Sequence, residues 1–233
     1  MKSIKRIMGL MAVAGMLMFP LTAKAADGQL GIYVAPKIIY GLTYMKDFKY
    51  QQGNGYKENI GNELDSTFGG SLAMGYDFSK KLNIPVRTEL EYAAFTKAEA
   101  KGIICGDNIK HSNNIQTLFM NIYYDINTGT KFIPYIGAGV GAGFIRTKAR
   151  IDWRSGDNIE STGSKTETNF AWNIGLGLGY QIANNVALDV GYRFVDLGRV
   201  QTNFHYWGYI AGWRMDIKRI YQHQFSMGAR FTF

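Results

Sequence analysis

Three histidines (His111, His205 and His223) and a single cysteine (Cys105) are the residues from which a nucleophilic or metal-dependent site would have to be assembled. Neither type is spaced for it. A structural zinc site needs Cys or His ligands in close pairs, and one cysteine forms no intramolecular disulfide. A Ser-His-acid hydrolase needs its serine and histidine on one face. Ser226 stands three positions from His223, and in an extended chain an odd separation points two side chains to opposite faces. His111 and His205 fall in long polar stretches. Ser155, Ser161 or Ser164 could meet His205 there, but no motif ties them together. The glycines at 137, 139, 141 and 143, with 175, 177 and 179, are not a phosphate loop. Such a loop places its glycines at a strand-to-helix turn, and these alternate within extended segments. No cofactor and no metal is expected.

A second group of chemically capable residues is defined by position. Lys37, Asp77, Arg87, Glu89, Glu91, Asp125, Asp189, Arg193 and Arg230 all fall on the small or polar side of segments whose other side is large and apolar. Phe170, Trp172, Ile174, Leu176, Leu178, Tyr180 and Ile182, for example, alternate with Ala171, Asn173, Gly175, Gly177, Gly179 and Gln181. Period-two alternation of this kind marks a strand with two different faces. Eight such segments occur, at about 29 to 46, 65 to 78, 84 to 97, 113 to 126, 132 to 149, 166 to 182, 186 to 201 and 218 to 233.

The connections alternate too. Short links at Ser79 to Asn83, Asn127 to Lys131 and Ala183 to Asn185 are separated by long polar stretches at about 47 to 64, 98 to 112, 150 to 165 and 202 to 217. Short periplasmic turns with long extracellular loops are the pattern of a transmembrane barrel. In lipid a sheet must close on itself to pair its backbone polar groups. The expected fold class is therefore all-β: an eight-stranded antiparallel transmembrane β-barrel over residues 26–233.

Residues 1–25 read as a secretory signal peptide. Lys2, Lys5 and Arg6 precede an apolar run from Ile7 to Phe19 that is too short to span a membrane, and Ala23 and Ala25 form a small-x-small cleavage site. Without Lys2, Lys5, Arg6 and Lys24 the formal charge falls from +8 to +4. The basic character that would suggest nucleic-acid binding is thus partly a property of the leader.

Gly75-Tyr76-Asp77-Phe78 followed by Pro85-Val86-Arg87-Thr88-Glu89-Leu90-Glu91-Tyr92, the run from Pro134 to Gly143, and Leu188-Asp189-Val190-Gly191-Tyr192-Arg193-Phe194 resemble small outer-membrane barrels. The type is that of opacity proteins and surface antigens, similar to the transmembrane domain of outer-membrane protein A. The resemblance implies residence in the bacterial outer membrane. It also implies that the terminal aromatics Phe231 and Phe233 serve as the signal read by the barrel assembly machinery.

An eight-stranded barrel is just wide enough to be filled by its own side chains. Lys37, Arg87, Glu89, Glu91, Asp189, Arg193 and Arg230, both signs in similar number, are therefore expected to pair as a structural network. Function would then lie in the long loops. The fourth holds Phe204, Tyr206, Trp207, Tyr209, Trp213 and Arg214, aromatic and basic residues suited to a host protein or glycan. The same residues could instead extend the aromatic girdle while the bases meet lipopolysaccharide phosphates. The expected function is a non-enzymatic surface protein, structural or adhesin-like, monomeric and with no nucleic-acid partner. A gated narrow porin, with the charged residues exchanging partners, and a lipid A-modifying enzyme are the alternatives.

Overall fold

The structure, a computed structural model, describes residues 30–233 except 53–56, 105–106, 153–162 and 205–212. The alternating segments form ten strands: β1 (Ile32–Gln52), β2 (Lys57–Asp77), β3 (Val86–Phe95), β4 (Ala98–Ile104), β5 (Asp107–Asp125), β6 (Phe132–Asp152), β7 (Gly163–Ala183), β8 (Val186–Asp196), β9 (Val200–Phe204) and β10 (Trp213–Thr232). One helical turn, α1 (Ser79–Leu82), follows β2. Two of the strands are continuations. β4 resumes the course of β3 after Thr96 and Lys97, and β9 resumes that of β8 after Leu197, Gly198 and Arg199. The ten strands thus make eight staves. Each stave pairs antiparallel with its neighbours, and β1 pairs with β10 from Tyr33↔Thr232 to Gln52↔Trp213. That last ladder closes the barrel and leaves its lower sheet without an edge.

The short links are as expected. Asn83, at φ 53, ends α1 in the left-handed region, and Asn127 Oδ1 accepts from the backbone N–H of Gly129 (φ 70) at 2.9 Å. The long polar stretches differ from expectation. β1 runs to Gln52, β2 begins at Lys57, β6 reaches Asp152 and β7 begins at Gly163, so most of the residues expected in loops are strand. Their sequence is mostly polar, which removes the signal. The ladder nevertheless continues, because each new residue finds a backbone partner already held by the pair below it.

Leu90, Met120, Ile136, Val140, Ile174, Leu176, Val190 and Met227 are exposed on the outer wall, as an apolar band must be in lipid. Aromatic pairs bound it. At the lower rim Tyr76 packs on Phe78 (4.8 Å between centroids) and Phe132 on Tyr180 (4.9 Å). At the upper rim Phe194 lies 5.8 Å from Trp172 and 5.5 Å from Tyr221. On β7 the band runs from Tyr180 to Phe170, which at a tilt of about 40° gives roughly 25 Å, the height of such bands. β1 continues from Lys46 to Gln52 above it, a further rise of about 15 Å by the same geometry.

Above the band the wall is not uniformly closed. β4 is laddered to β5 and β9 to β10. Among the described residues neither has a ladder to the strand on its other side, β2 or β7 respectively. The upper wall is therefore two four-stranded sheets, β4-β5-β6-β7 and β9-β10-β1-β2, rising from one barrel.

Candidate functional site

The lumen is filled in three tiers. The lowest is ionic, built by inward positions of β1, β3, β5, β8 and β10. Glu91 is its hub: one carboxylate oxygen accepts from Lys37 Nζ at 2.7 Å and the other from Arg193 Nη2 at 2.5 Å. Lys37 also donates to Glu89 at 2.6 Å, and Glu89 accepts from the Tyr33 hydroxyl at 3.3 Å. Nearer the periplasmic mouth Arg87 makes a two-pronged bond to Asp125 (2.6 and 2.8 Å). The Arg87 guanidinium lies 5.0 and 5.1 Å from the Tyr123 and Tyr135 rings. Arg230 faces Asp189 at 3.4 Å and Asp125 at 3.9 Å.

A desolvated charge is stable only when paired and hydrogen-bonded, and the tyrosine rings supply cation–π faces where carboxylates run out. Asp77, expected inside with this group, is buried but caps the next turn: its Oδ1 accepts from Ser79 N–H (2.9 Å) and Oγ–H (2.6 Å).

The middle tier is neutral. Arg193 Nε donates to Gln224 (2.6 Å), Gln224 to Gln222 (2.6 Å), and Gln222 to Thr43 (2.9 Å). On the opposite wall Asn173 donates to Asn121 at 3.0 Å. The top tier is apolar. Met45, Phe95, Ile115, Phe119, Ile145, Leu197, Val200, Ile217 and Ile220 form one buried cluster. Arg193 lies 5.7 Å from the Phe119 ring, so Phe119 joins the ionic tier to the apolar one.

The inward glycines fit this filling. A Cβ on Gly137 would strike the Tyr123 ring, one on Gly177 the Tyr135 ring, one on Gly139 the Asn121 and Asn173 amides, and one on Gly175 Arg193. Tyrosines and asparagines take much of the space these glycines leave.

Lys37, Arg87, Glu89, Glu91, Asp189, Arg193 and Arg230 are therefore brought together in the lumen. The polar and apolar tiers were missed. Their signal was faint: Ile115 and Phe119 sit among Leu118 and Met120, where an apolar run hides its parity. A pore would have to pass the apolar tier, which the ion pairs do not control. Reconstituted wild-type protein and Glu89→Ala are both expected to show single-channel conductance at background. Discrete openings in either would contradict a filled lumen.

Among the described residues the hydrolase geometry is not assembled. His223 faces outward, its Nδ1 2.8 Å from the Tyr192 hydroxyl, whereas Ser226 faces inward and donates to the Gly191 carbonyl at 3.5 Å. Tyr206, Trp207 and Tyr209, with His205 and Cys105, lie outside the described residues, as does the segment 1–25. Phe204 and Trp213 are opposite each other in the β9–β10 ladder and Arg214 is opposite Asn203. The side chains of Phe204, Trp213 and Arg214 are outside the description. Phe231 pairs with Val34 and Val186, and the Phe233 carbonyl accepts from the N–H groups of Leu30 and Gly31, each at 3.0 Å.

A closed eight-stranded antiparallel barrel with an apolar outer band, aromatic rims and a filled polar lumen is a transmembrane barrel of the bacterial outer membrane. Residues 11–233 match the family model of the outer membrane protein beta-barrel domain, and the chain belongs to that family, the small barrels of the opacity-protein type. It is 32% identical over 200 residues to outer membrane protein PagN of Salmonella typhimurium, covering 78% of this chain and 82% of that one. A candidate adhesin of Rickettsia bellii is 28% identical over 177 residues, 74% of this chain and 72% of its own. Among solved structures, Neisserial surface protein A superposes with a TM-score of 0.50 at 18% identity, covering 87% of this chain and 97% of that one.

Proposed function

We propose that the chain is a non-enzymatic surface protein whose working part is the wall and tips above the outer leaflet, in contact with a host protein or glycan. The observation that carries this reading is the contrast between the two halves of the staves. Below, the lumen is filled by its own ion pairs and apolar side chains. Above, the ladders continue to Gln52 and Asp152 and carry the strand ends well clear of the lipid. Strands of that length are unnecessary for spanning, which takes about 9–11 residues. The aromatic and basic residues of the fourth tip, Phe204, Tyr206, Trp207, Tyr209, Trp213 and Arg214, have the composition of a binding surface. Adhesin-type relatives support the same reading. Residues 1–25 would direct export, and Phe231 and Phe233 would be read during assembly of a monomeric barrel.

Replacing residues 205 to 212 with a two-residue turn keeps the β9–β10 ladder. Bacteria carrying that variant are expected to lose binding to host cells while the barrel retains its heat-modifiable mobility on gels. Binding that survives removal of each of the four tips in turn would sink the adhesive reading. Altered lipid A mass spectra on overexpression would instead favour an enzyme.

A further inference from the structure

Above the band the two four-stranded sheets lie face to face. Ile115 and Ile145 of one sheet and Met45, Val200 and Ile217 of the other belong to a single buried apolar cluster. One level higher, Asn113 of β5 donates to the Met45 sulfur of β1 at 3.5 Å and accepts from Thr147 of β6 at 2.9 Å. The upper part is thus a small β-sandwich, and a sandwich, unlike a closed barrel, has edges. Among the described residues these are the outer flanks of β4 and β7 in one sheet and of β9 and β2 in the other.

Three of the four edges carry features that discourage a further strand. β4 contains Glu99, Lys101 and Gly102, and the upper half of β7 contains Lys165 and Glu167. The upper half of β2 contains Glu58, Glu63 and Asp65, with Gly61 at φ 94 where the register with β1 shifts. Charges, glycines and bulges of this kind guard an edge. β9, Val200-Gln201-Thr202-Asn203-Phe204, has no charge, no proline and no glycine.

The same strand is held in place from below. Arg199 donates to Asp216 at 2.9 Å and Arg219 is bonded to Asp196, one ion pair on each side of the break. From β7, the Asn169 amide donates to the carbonyls of Leu197 and Arg199 at 3.1 and 2.7 Å. Those carbonyls are thereby answered by a side chain, and among the described residues β9 above them has a ladder only to β10. A fixed, unguarded edge of five residues is about 17 Å long.

We propose that the free flank of β9 is a docking edge for an extended segment of a protein partner, which adds to β9-β10-β1-β2 as a fifth strand. Main-chain hydrogen bonds supply the affinity in such an addition. The partner is a polypeptide because an edge offers N–H and C=O groups in pairs that repeat every second residue, about 7 Å apart. Only another extended polypeptide backbone presents the matching series. The proposal rests on the surface-contact function above and narrows its partner from protein or glycan to protein.

The test uses the protein in lipid nanodiscs and, as ligand, a capped seven-residue peptide of alternating Thr and Val, with a second peptide N-methylated at every other residue. Amides of β9 are expected to shift in NMR spectra with the first peptide, and those of its free flank to exchange about tenfold more slowly, the effect of one main-chain hydrogen bond. The N-methylated peptide should do neither. Successive residues of a strand send their N–H groups to opposite flanks, so one of Gln201→Pro and Thr202→Pro removes a free-flank donor while leaving the β9–β10 ladder intact. That variant should bind the first peptide about tenfold more weakly. Unchanged β9 amides at millimolar peptide, equal effects of the two peptides, or shifts confined to β2, β4 or β7 overturn the docking edge. Host-cell binding lost on tip replacement, with no peptide effect at β9 in the intact protein, overturns the edge and leaves the adhesive reading standing. A peptide effect at β9 in a protein whose host-cell binding survives removal of each tip upholds the edge and sinks the adhesive reading.

Discussion

Glu91→Ala is expected to lower the stability of the folded barrel by about 3–5 kcal/mol, the cost of leaving buried charges without their partner. Glu91 is 1% exposed and serves two cations, Lys37 at 2.7 Å and Arg193 at 2.5 Å. Its removal leaves Arg193 with Gln224 and the Phe119 ring, and Lys37 with Glu89. Urea unfolding from lipid bilayers, with wild type and variant under the same conditions, measures the difference. A midpoint unchanged within error would mean that the ionic tier is hydrated in the membrane and contributes little. Glu91→Gln preserves shape and hydrogen bonding, so it should lie between the two.

Phe119→Ala should be of similar size, about 3–5 kcal/mol, because it removes a fully buried ring and leaves a cavity between tiers. Two effects add. The apolar cluster around Ile115, Ile145 and Ile217 loses contacts, and Arg193 loses the ring 5.7 Å from its guanidinium. The same unfolding measurement applies. Phe119→Leu provides the comparison: it keeps most of the volume but not the ring face, and should recover most of the loss. If Phe119→Leu were as damaging as Phe119→Ala, the cation–π contact would outweigh the packing.

The fold was legible wherever the two faces of a strand meet different surroundings. Phe170 to Ile182 alternates cleanly because one side meets lipid and the other a crowded lumen, and the closed eight-stave barrel follows from eight such segments. The same parity placed Lys37, Glu89, Glu91 and Arg193 inside. It failed where the surroundings stop differing. Residues 46 to 52 of β1 are mostly polar in sequence, so composition resembles a loop although the ladder persists. In the apolar tier the difference vanishes the other way, since Ile115 and Phe119 face inward beside lipid-facing Leu118 and Met120. Nothing in one strand reports that five others bring apolar side chains to the same height.

The breaks at Thr96–Lys97 and Leu197–Arg199 give the upper wall an uneven mechanical character. Hydrogen bonds between antiparallel strands lie across the strand direction, so tension along a strand with ladders on both flanks loads many bonds at once, in shear. β1 is of that kind up to Gln51 and β6 up to Ala149. β4 and β9 are bonded along one flank each, so a sideways tug on their tips parts the ladder bond by bond. A cell held by this protein would thus hang from stiff posts at β1 and β6, with compliant straps at β4 and β9 that yield first.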